Sequence, residues 1–375
     1  MMKKFIQLLR YAIDTQQEMP QIAESEWPVV FDMAQRHNLV GLLFDKMEQL
    51  RVNNIGMSQD LLLEWFSIAE QIRLFNGQVN KQCVMVCKEY REAGFDCCIL
   101  KGQGNAVMYD KPELRAPGDI DVWVVSQTEN GKVLDSKKNM QKIVEYVQAN
   151  KGKCKLRYYH VEYEEKGTLI EAHFIPGIMN NPWYNRKLQR WYREWQKEQM
   201  QHNIELPGGV GQIAVPTIEF NIVYQLAHLM HHFFDEGIGL RHLVDYYYLL
   251  KTFHAGNPSR LSYTSSWEKV LQELGLRKFA GAVMWGLREV LNMEEELMIV
   301  PVDEWRGRTL MNEMMRGGNL GKYSGLAGHT TGSKYFLKHW RNLHFVRQYP
   351  AEALCEPIFR TWHFFWRLRM RSLVA

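Results

Sequence analysis

Cys98-Ile-Leu-Lys-Gly-Gln-Gly104, followed by Arg115-Ala-Pro-Gly-Asp-Ile-Asp-Val-Trp-Val-Val125, decides how the rest of this chain is read. The apolar runs 97–100 and 122–125 have the length and composition of short buried strands. Between them lie a glycine turn, Lys101-Gly102, and a short helical run over 105–109. The second strand opens on Asp119-Ile120-Asp121. Side chains alternate across a strand, so both carboxylates point to one side, roughly 6–7 Å apart along the chain. Two carboxylates that close repel each other unless a cation lies between them. Hard oxygen donors of this kind suit Mg²⁺ or Mn²⁺.

Further along, a linker (126–137) and a helix (138–150) lead to two strands, 155–164 and 168–174, joined as a hairpin around Glu165-Lys166-Gly167. In the second of these, Leu169, Glu171 and His173 share one face and Ile170, Ala172 and Phe174 the other. A glutamate among apolar strand residues is costly to bury without a partner. The cation held by Asp119 and Asp121 is the partner that fits.

Either side of this region the pattern is helical. Over 1–92 apolar residues recur at helical spacing, with Ser58 placed to cap a long helix that reaches Gly77, and a further helix over 79–93 that stops at Gly94. After the core come a basic, aromatic helix over 183–200, a turn at Pro207-Gly-Gly-Val-Gly and a short strand at 213–215. Helices follow over 217–234, 240–253, 265–274, 278–292 and 302–316. A glycine-rich loop spans 317–332, and the tail, 334–375, is helical, aromatic and basic. The expectation is an α+β protein: a small mixed β-sheet core at 93–215, flanked by an N-terminal helical subdomain at 1–92 and a C-terminal helical domain at 216–375.

Length and charge agree with this division. A chain of 375 residues is too long for one ordinary core. Its net charge of +4 permits an anionic small substrate but is not that of a strongly basic nucleic-acid binder. Six cysteines show no paired zinc spacing and read as buried reduced thiols, which points to a reducing compartment. The opening apolar run is cut by Gln7 and Arg10, and no stretch approaches the ~20 apolar residues of a membrane span. The expected location is cytoplasmic.

Leu100-Lys101-Gly102, Tyr109, Arg115, Asp119-Ile120-Asp121 and Glu171-Ala172-His173 together resemble the bacterial family of uncharacterised nucleotidyltransferases within the DNA polymerase β-type superfamily. The resemblance covers most of the chain. The sequence departs from the superfamily's usual Gly-Gly or Gly-Ser turn with Gly102-Gln103, and its third carboxylate is Glu171 rather than Asp. The resemblance implies two-metal nucleotidyl transfer from an NTP, ATP included, to an acceptor that is a small molecule, a sugar, a protein or RNA. Asp119, Asp121 and Glu171 would be the catalytic and metal-holding residues, with Mg²⁺ (or Mn²⁺) as cofactor. Lys101, Gly102, Gln103 and Arg115 would bind nucleotide, the backbone near Gly102 cradling phosphate.

Two readings of other classes stand beside this one. A catalytically silent member that only binds nucleotide or a partner protein is suggested by the Gly102-Gln103 turn and opposed by the retention of three carboxylates. A His-Asp type metal-dependent phosphohydrolase is suggested by His228, His231, His232 and Asp235 on one helix and His242 and Asp245 on the next. Against it, helix histidines hydrogen-bonded to their neighbours explain the same residues, and Arg241 with Asp245 reads as an i,i+4 ion pair. A middle reading has His173, His228, His232 and Arg241 facing a substrate cleft. The basic-aromatic stretches 183–197 and 362–371 fit nucleic-acid stacking, a membrane surface or amphipathic helices docked on the domain; the last is the commonest arrangement.

Overall fold

Alternating residues along five short strands build the sheet on which the rest is organised. The structure is a computed structural model describing residues 1–49, 56–127, 136–235, 237–256, 264–318 and 342–370. The fold is α+β: a five-stranded mixed sheet and a two-stranded sheet among helices. The strands are β1 (Phe95–Ile99), β2 (Ile120–Ser126), β3 (Cys154–Leu156), β4 (His160–Glu165) and β5 (Thr168–His173), in spatial order β1-β2-β5-β4-β3. Only β2 and β5 run parallel; the other pairs are antiparallel.

Register separates the sheet's two faces by chemistry. One face carries Cys97, Ile99, Ile120, Val122, Val124, Ile170, Ala172, Val161 and Tyr163, all buried. They share a core with Met140, Ile143, Val144 and Val147, spaced i, i+3, i+4, i+7 on α6 (Ser136–Lys151). Fully burying an aliphatic side chain of this kind stabilises by about 1.5–3 kcal/mol, which fixes the register. The opposite face, by the same alternation, carries Asp121, Trp123, Glu171, His173, His160 and Glu162. Lys166 and Gly167, which join β4 to β5, have φ of +49° and +78°, the left-handed pair that a two-residue hairpin turn needs.

The sequence expectation of one strand over 155–164 is corrected: Arg157 N–H donates to the His160 carbonyl at 2.8 Å in a turn that divides β3 from β4. The expected helices ending and restarting near Gly77 are one helix, α4 (Gln59–Glu92), of 34 residues. The short helix after Gly102 is a single turn, α5 (Gln103–Ala106). A strand not read from the sequence, β6 (Asn203–Glu205), pairs with β7 (Gln212–Ala214). The helices expected from 183 to 316 are all present, as α7 (Pro182–Gln201), α8 (Ile218–Asp235), α9 (Leu240–Ala255), α10 (Thr264–Glu273), α11 (Arg277–Leu291) and α12 (Glu304–Gly317). The tail contributes α13 (Pro350–Met370). Most of the glycine-rich loop, 319–332, lies outside the described residues, as does 371–375.

Two compact units share the chain, each assembled from separated stretches. One comprises Met1–Asn76, Met108–Ala116 and Leu229–Gln348; the other comprises Gly77–Val107, Pro117–His228 and Tyr349–Ala375 and contains the five-stranded sheet. The first unit is helical, with α1 (Met2–Ala12), α2 (Trp27–Arg36) and α3 (Val40–Gln49) joined by the helices from α9 to α12. Trp27, Trp65, Phe5 and Phe279 are among its fully buried side chains.

Candidate active site

The parallel pairing of β2 with β5 sets Asp121 directly beside Glu171, and Trp123 beside His173. Antiparallel pairing of β5 with β4 then sets Glu171 beside Glu162, and His173 beside His160. One rung of the sheet is therefore acidic, and two residues of the next are imidazoles. Asp119 lies just ahead of β2, half-buried. Ligand oxygens of Asp119, Asp121 and Glu171 all lie within 4.8 Å of one another.

Lys101 and His173 place positive charge beside this cluster. Lys101 Nζ stands 3.1 Å from Asp121 Oδ1 and 3.3 Å from His228 Nε2. The His173 Nε2 stands 3.0 Å from Asp121 Oδ1 and 3.3 Å from Glu171 Oε2. Asp121 is almost wholly buried, which would raise its pKa, but Lys101 and His173 more than reverse this and hold it well below the usual carboxylate range. Burial would lower His173; its hydrogen bonds to Asp121 and Glu171 raise it to about 9. For Lys101 the lowering by burial is outweighed by Asp121, then Asp119 and Glu171, and the net shift is upward. Glu171 would be raised by burial but is lowered overall, chiefly by its hydrogen bond to His173. Even so, Asp121 Oδ2 is buried without a hydrogen-bond partner. Such an atom is costly to desolvate and marks a place for a ligand or cation.

Gly102 has φ of +61°, so the turn ahead of α5 takes a conformation in which a side chain is strained. The neighbouring Gln103 side chain is buried and donates to Asn80 Oδ1. Asn105 Oδ1 accepts hydrogen bonds of 3.1 Å from both Asn221 and Gln225, tying the turn to α8. With only four residues, α5 has no macrodipole of consequence to offer a phosphate.

The remaining sequence candidates fall in the first unit. Arg115, read as a nucleotide-binding cation, is 5% exposed and grips Asp245 through both oxygens, Nε to Oδ1 at 2.7 Å and Nη2 to Oδ2 at 2.8 Å. The Tyr109 hydroxyl donates to the same Oδ1 at 2.6 Å. Arg241, read as an i,i+4 partner of Asp245, also helps to lower its pKa and donates from Nη1 to the Ala116 carbonyl at 2.9 Å, while Arg115 is the bidentate partner. His232 has its ring centroid 6.4 Å from that of His242. Among the described residues, the groups of His, Cys, Asp and Glu arranged to hold a metal are two, and neither includes His228 or His232.

His160 and Glu162 were missed in the sequence. His160 Nε2 lies 3.2 Å from Glu162 Oε1 and 3.7 Å from Glu171 Oε1. The signal was present: His160-Val161-Glu162 mirrors Glu171-Ala172-His173 across a two-residue turn, and an antiparallel hairpin superimposes the two patterns.

A family model described as an uncharacterised nucleotidyltransferase matches residues 23–292, well over half of the chain. No curated protein and no solved structure matches it. Among the described residues, no helix is long and apolar enough to cross a membrane.

Proposed function

Because the chain belongs to this family of uncharacterised nucleotidyltransferases, we propose that it moves a nucleoside monophosphate from an NTP to an acceptor hydroxyl or phosphate on the face formed by β2 and β5. One observation carries the reading: Asp119 and Asp121, at the start of β2, and Glu171, much later in the chain on the parallel neighbour β5, converge within 4.8 Å. The order β1, glycine turn, α5, β2 with Asp-Ile-Asp supports placing the family in the DNA polymerase β-type superfamily. On this reading 93–215 is the catalytic core, and 1–92 and 216–375 are the helical regions that flank it.

The residues present fit a divalent cation, since three hard oxygen donors and the unpartnered Asp121 Oδ2 suit Mg²⁺ or Mn²⁺. When bound, such ions, one or a pair, neutralise triphosphate charge and stabilise the attacking and leaving oxygens of an in-line displacement. Lys101 adds a fixed positive charge against which a polyphosphate binds. Gly102 carries no side chain at the turn, which would let a phosphate approach its backbone closely. The acceptor oxygen forms its bond to the α-phosphorus as the bond to pyrophosphate breaks, and Glu171 takes the proton of an acceptor hydroxyl. His173 and His228, held against Asp121 and Lys101, position the groups they touch.

Calorimetric titration of the four NTPs with Mg²⁺ or Mn²⁺ tests this, on the wild type and on Asp121→Asn. Metal-dependent binding by the wild type that weakens at least about tenfold in the variant is expected. Equal binding by both would remove the site. No binding by the wild type would leave a catalytically silent, partner-binding member in its place.

A further inference from the structure

Glu171 belongs to a second cluster. The ligand atoms of His160, Glu171 and His173 all lie within 4.8 Å of one another. The two imidazoles approach opposite oxygens of one carboxylate: His160 Nε2 is 3.7 Å from Oε1 and His173 Nε2 is 3.3 Å from Oε2. Two ligands on a cation with bonds of about 2.0–2.2 Å stand roughly 3–3.5 Å apart, so these side chains need to move little to share one ion. Both rings are buried, 4% and 2% exposed. In each, Nδ1 is buried with no hydrogen-bond partner, so bonding within the chain satisfies only part of either ring. Glu162, beside His160 Nε2 and itself paired with Arg157, restrains the outer imidazole.

We infer that His160, Glu171 and His173 form a binding site for a first-row transition-metal dication such as Zn²⁺, Co²⁺ or Fe²⁺. Two imidazoles and one carboxylate are a borderline donor set that discriminates against Mg²⁺, whereas the all-oxygen set of Asp119, Asp121 and Glu171 does not. Glu171 is common to both groups, so occupancy of the nitrogen site fixes the orientation of a carboxylate that the neighbouring site also uses. The metal-binding step releases whatever protons the imidazoles carry and involves no redox change.

The test uses the full chain, stripped with chelator and free of nucleotide, titrated with Co²⁺ while visible absorption is followed. A four-coordinate site of two imidazoles, one carboxylate and a water gives an intense d–d band, whereas a six-coordinate all-oxygen site gives a faint one. The expected result is a saturable intense band in the wild type, abolished by equimolar Zn²⁺ and retained in a ~100-fold excess of Mg²⁺. His160→Gln and His173→Gln should each lose it, while Asp119→Asn should keep it. Absence of the band in the wild type, its removal by Mg²⁺, its survival in His160→Gln or its loss in Asp119→Asn would each overturn the assignment. Should the histidine variants fail to fold, the Zn²⁺ and Mg²⁺ competition on the wild type decides alone. No nucleotide is present, so failure here and failure of the nucleotidyltransferase reading are separate results.

Discussion

Asp245 is held by Arg115, a residue 130 positions away in sequence, in a pair buried on both sides. Burial would raise the Asp245 pKa, but Arg115 brings it down to about 2 from an ordinary 3.8. A depressed carboxylate contributes stability that is fully present above the unfolded value and is lost as pH falls through the folded one. Here that contribution is about 2 kcal/mol, absent only near pH 2. Asp245→Asn leaves the Arg115 guanidinium buried without a counter-charge and should cost about 3–5 kcal/mol at pH 7. Urea denaturation at pH 7 and pH 3 checks this: the gap between wild type and variant should narrow at the lower pH, and a constant gap would refute the linkage. The same residues mark a limit of sequence reading. Arg115 and Arg241 each suggested a local or ligand-facing role, because a bidentate contact made by chain folding has no signature in spacing. Asp121 and Glu171 were legible because strand alternation is local and the cost of burying a carboxylate names its own remedy. His160 and Glu162 were hidden once their strand was read as continuous through 157–159.

Secondary-structure elements were most legible where periodicity was strong. The helices from α7 to α12 fall within a few residues of expectation, and α6 does too. At Gly77 sequence reasoning placed a break that does not exist. A helical glycine costs only about 1 kcal/mol relative to alanine. Val79, Cys83, Val86, Cys87 and Tyr90 continue the buried stripe of Trp65 and Ala69 without a change of phase, and that burial outweighs the cost. The tail was read as helical, but what anchors it was not visible. At the start of α13, Glu352 is buried and accepts the backbone N–H groups of Asn180 at 2.8 Å and Asn181 at 3.1 Å. Further along, Trp362 and Trp366 meet the Tyr158 ring edge-on at 5.0 and 5.6 Å. Burial raises the Glu352 carboxyl from 4.5 to about 7, against the lowering effect of those two N–H groups. The folded state then binds a proton that the unfolded chain has already released between these values, so stability falls as pH rises from about 4.5 to about 7 and is level above. The change is about 3 kcal/mol. Glu352→Gln, which keeps the acceptor and removes the charge, should abolish that slope and be more stable than wild type at pH 8. Denaturation curves at pH 5 and pH 8 would show it, and an unchanged slope in the variant would assign it elsewhere.

At the scale of the whole molecule, the chemistry gathers in one unit. Lys101, Asp119, Asp121, His160, Glu171, His173 and His228 belong to the unit that carries the five-stranded sheet, while Arg115, His232, Arg241 and Asp245 belong to the helical one. Contiguous blocks are the natural division to read from a sequence, since composition shifts are the only visible boundaries. Here the divisions at Asn76 and His228 fall inside α4 and α8, where the helical pattern continues and composition does not change. A ligand that binds only the folded sheet-bearing unit stabilises that unit by RT ln(1 + [L]/Kd), about 2.7 kcal/mol at 100 times Kd. If the two units open independently, amide exchange in Mg²⁺ and NTP should slow up to about 100-fold in β1, β2 and β5, with no change in α9 or α11. Hydrogen-exchange mass spectrometry resolves these segments. Equal slowing in α11 would mean that the protein opens as one cooperative body, and the energetic division into units would fall. Slowing confined to the strands would mean that site occupancy is felt by the sheet-bearing unit alone, and that the two units are energetically separate although α4 and α8 have residues in both.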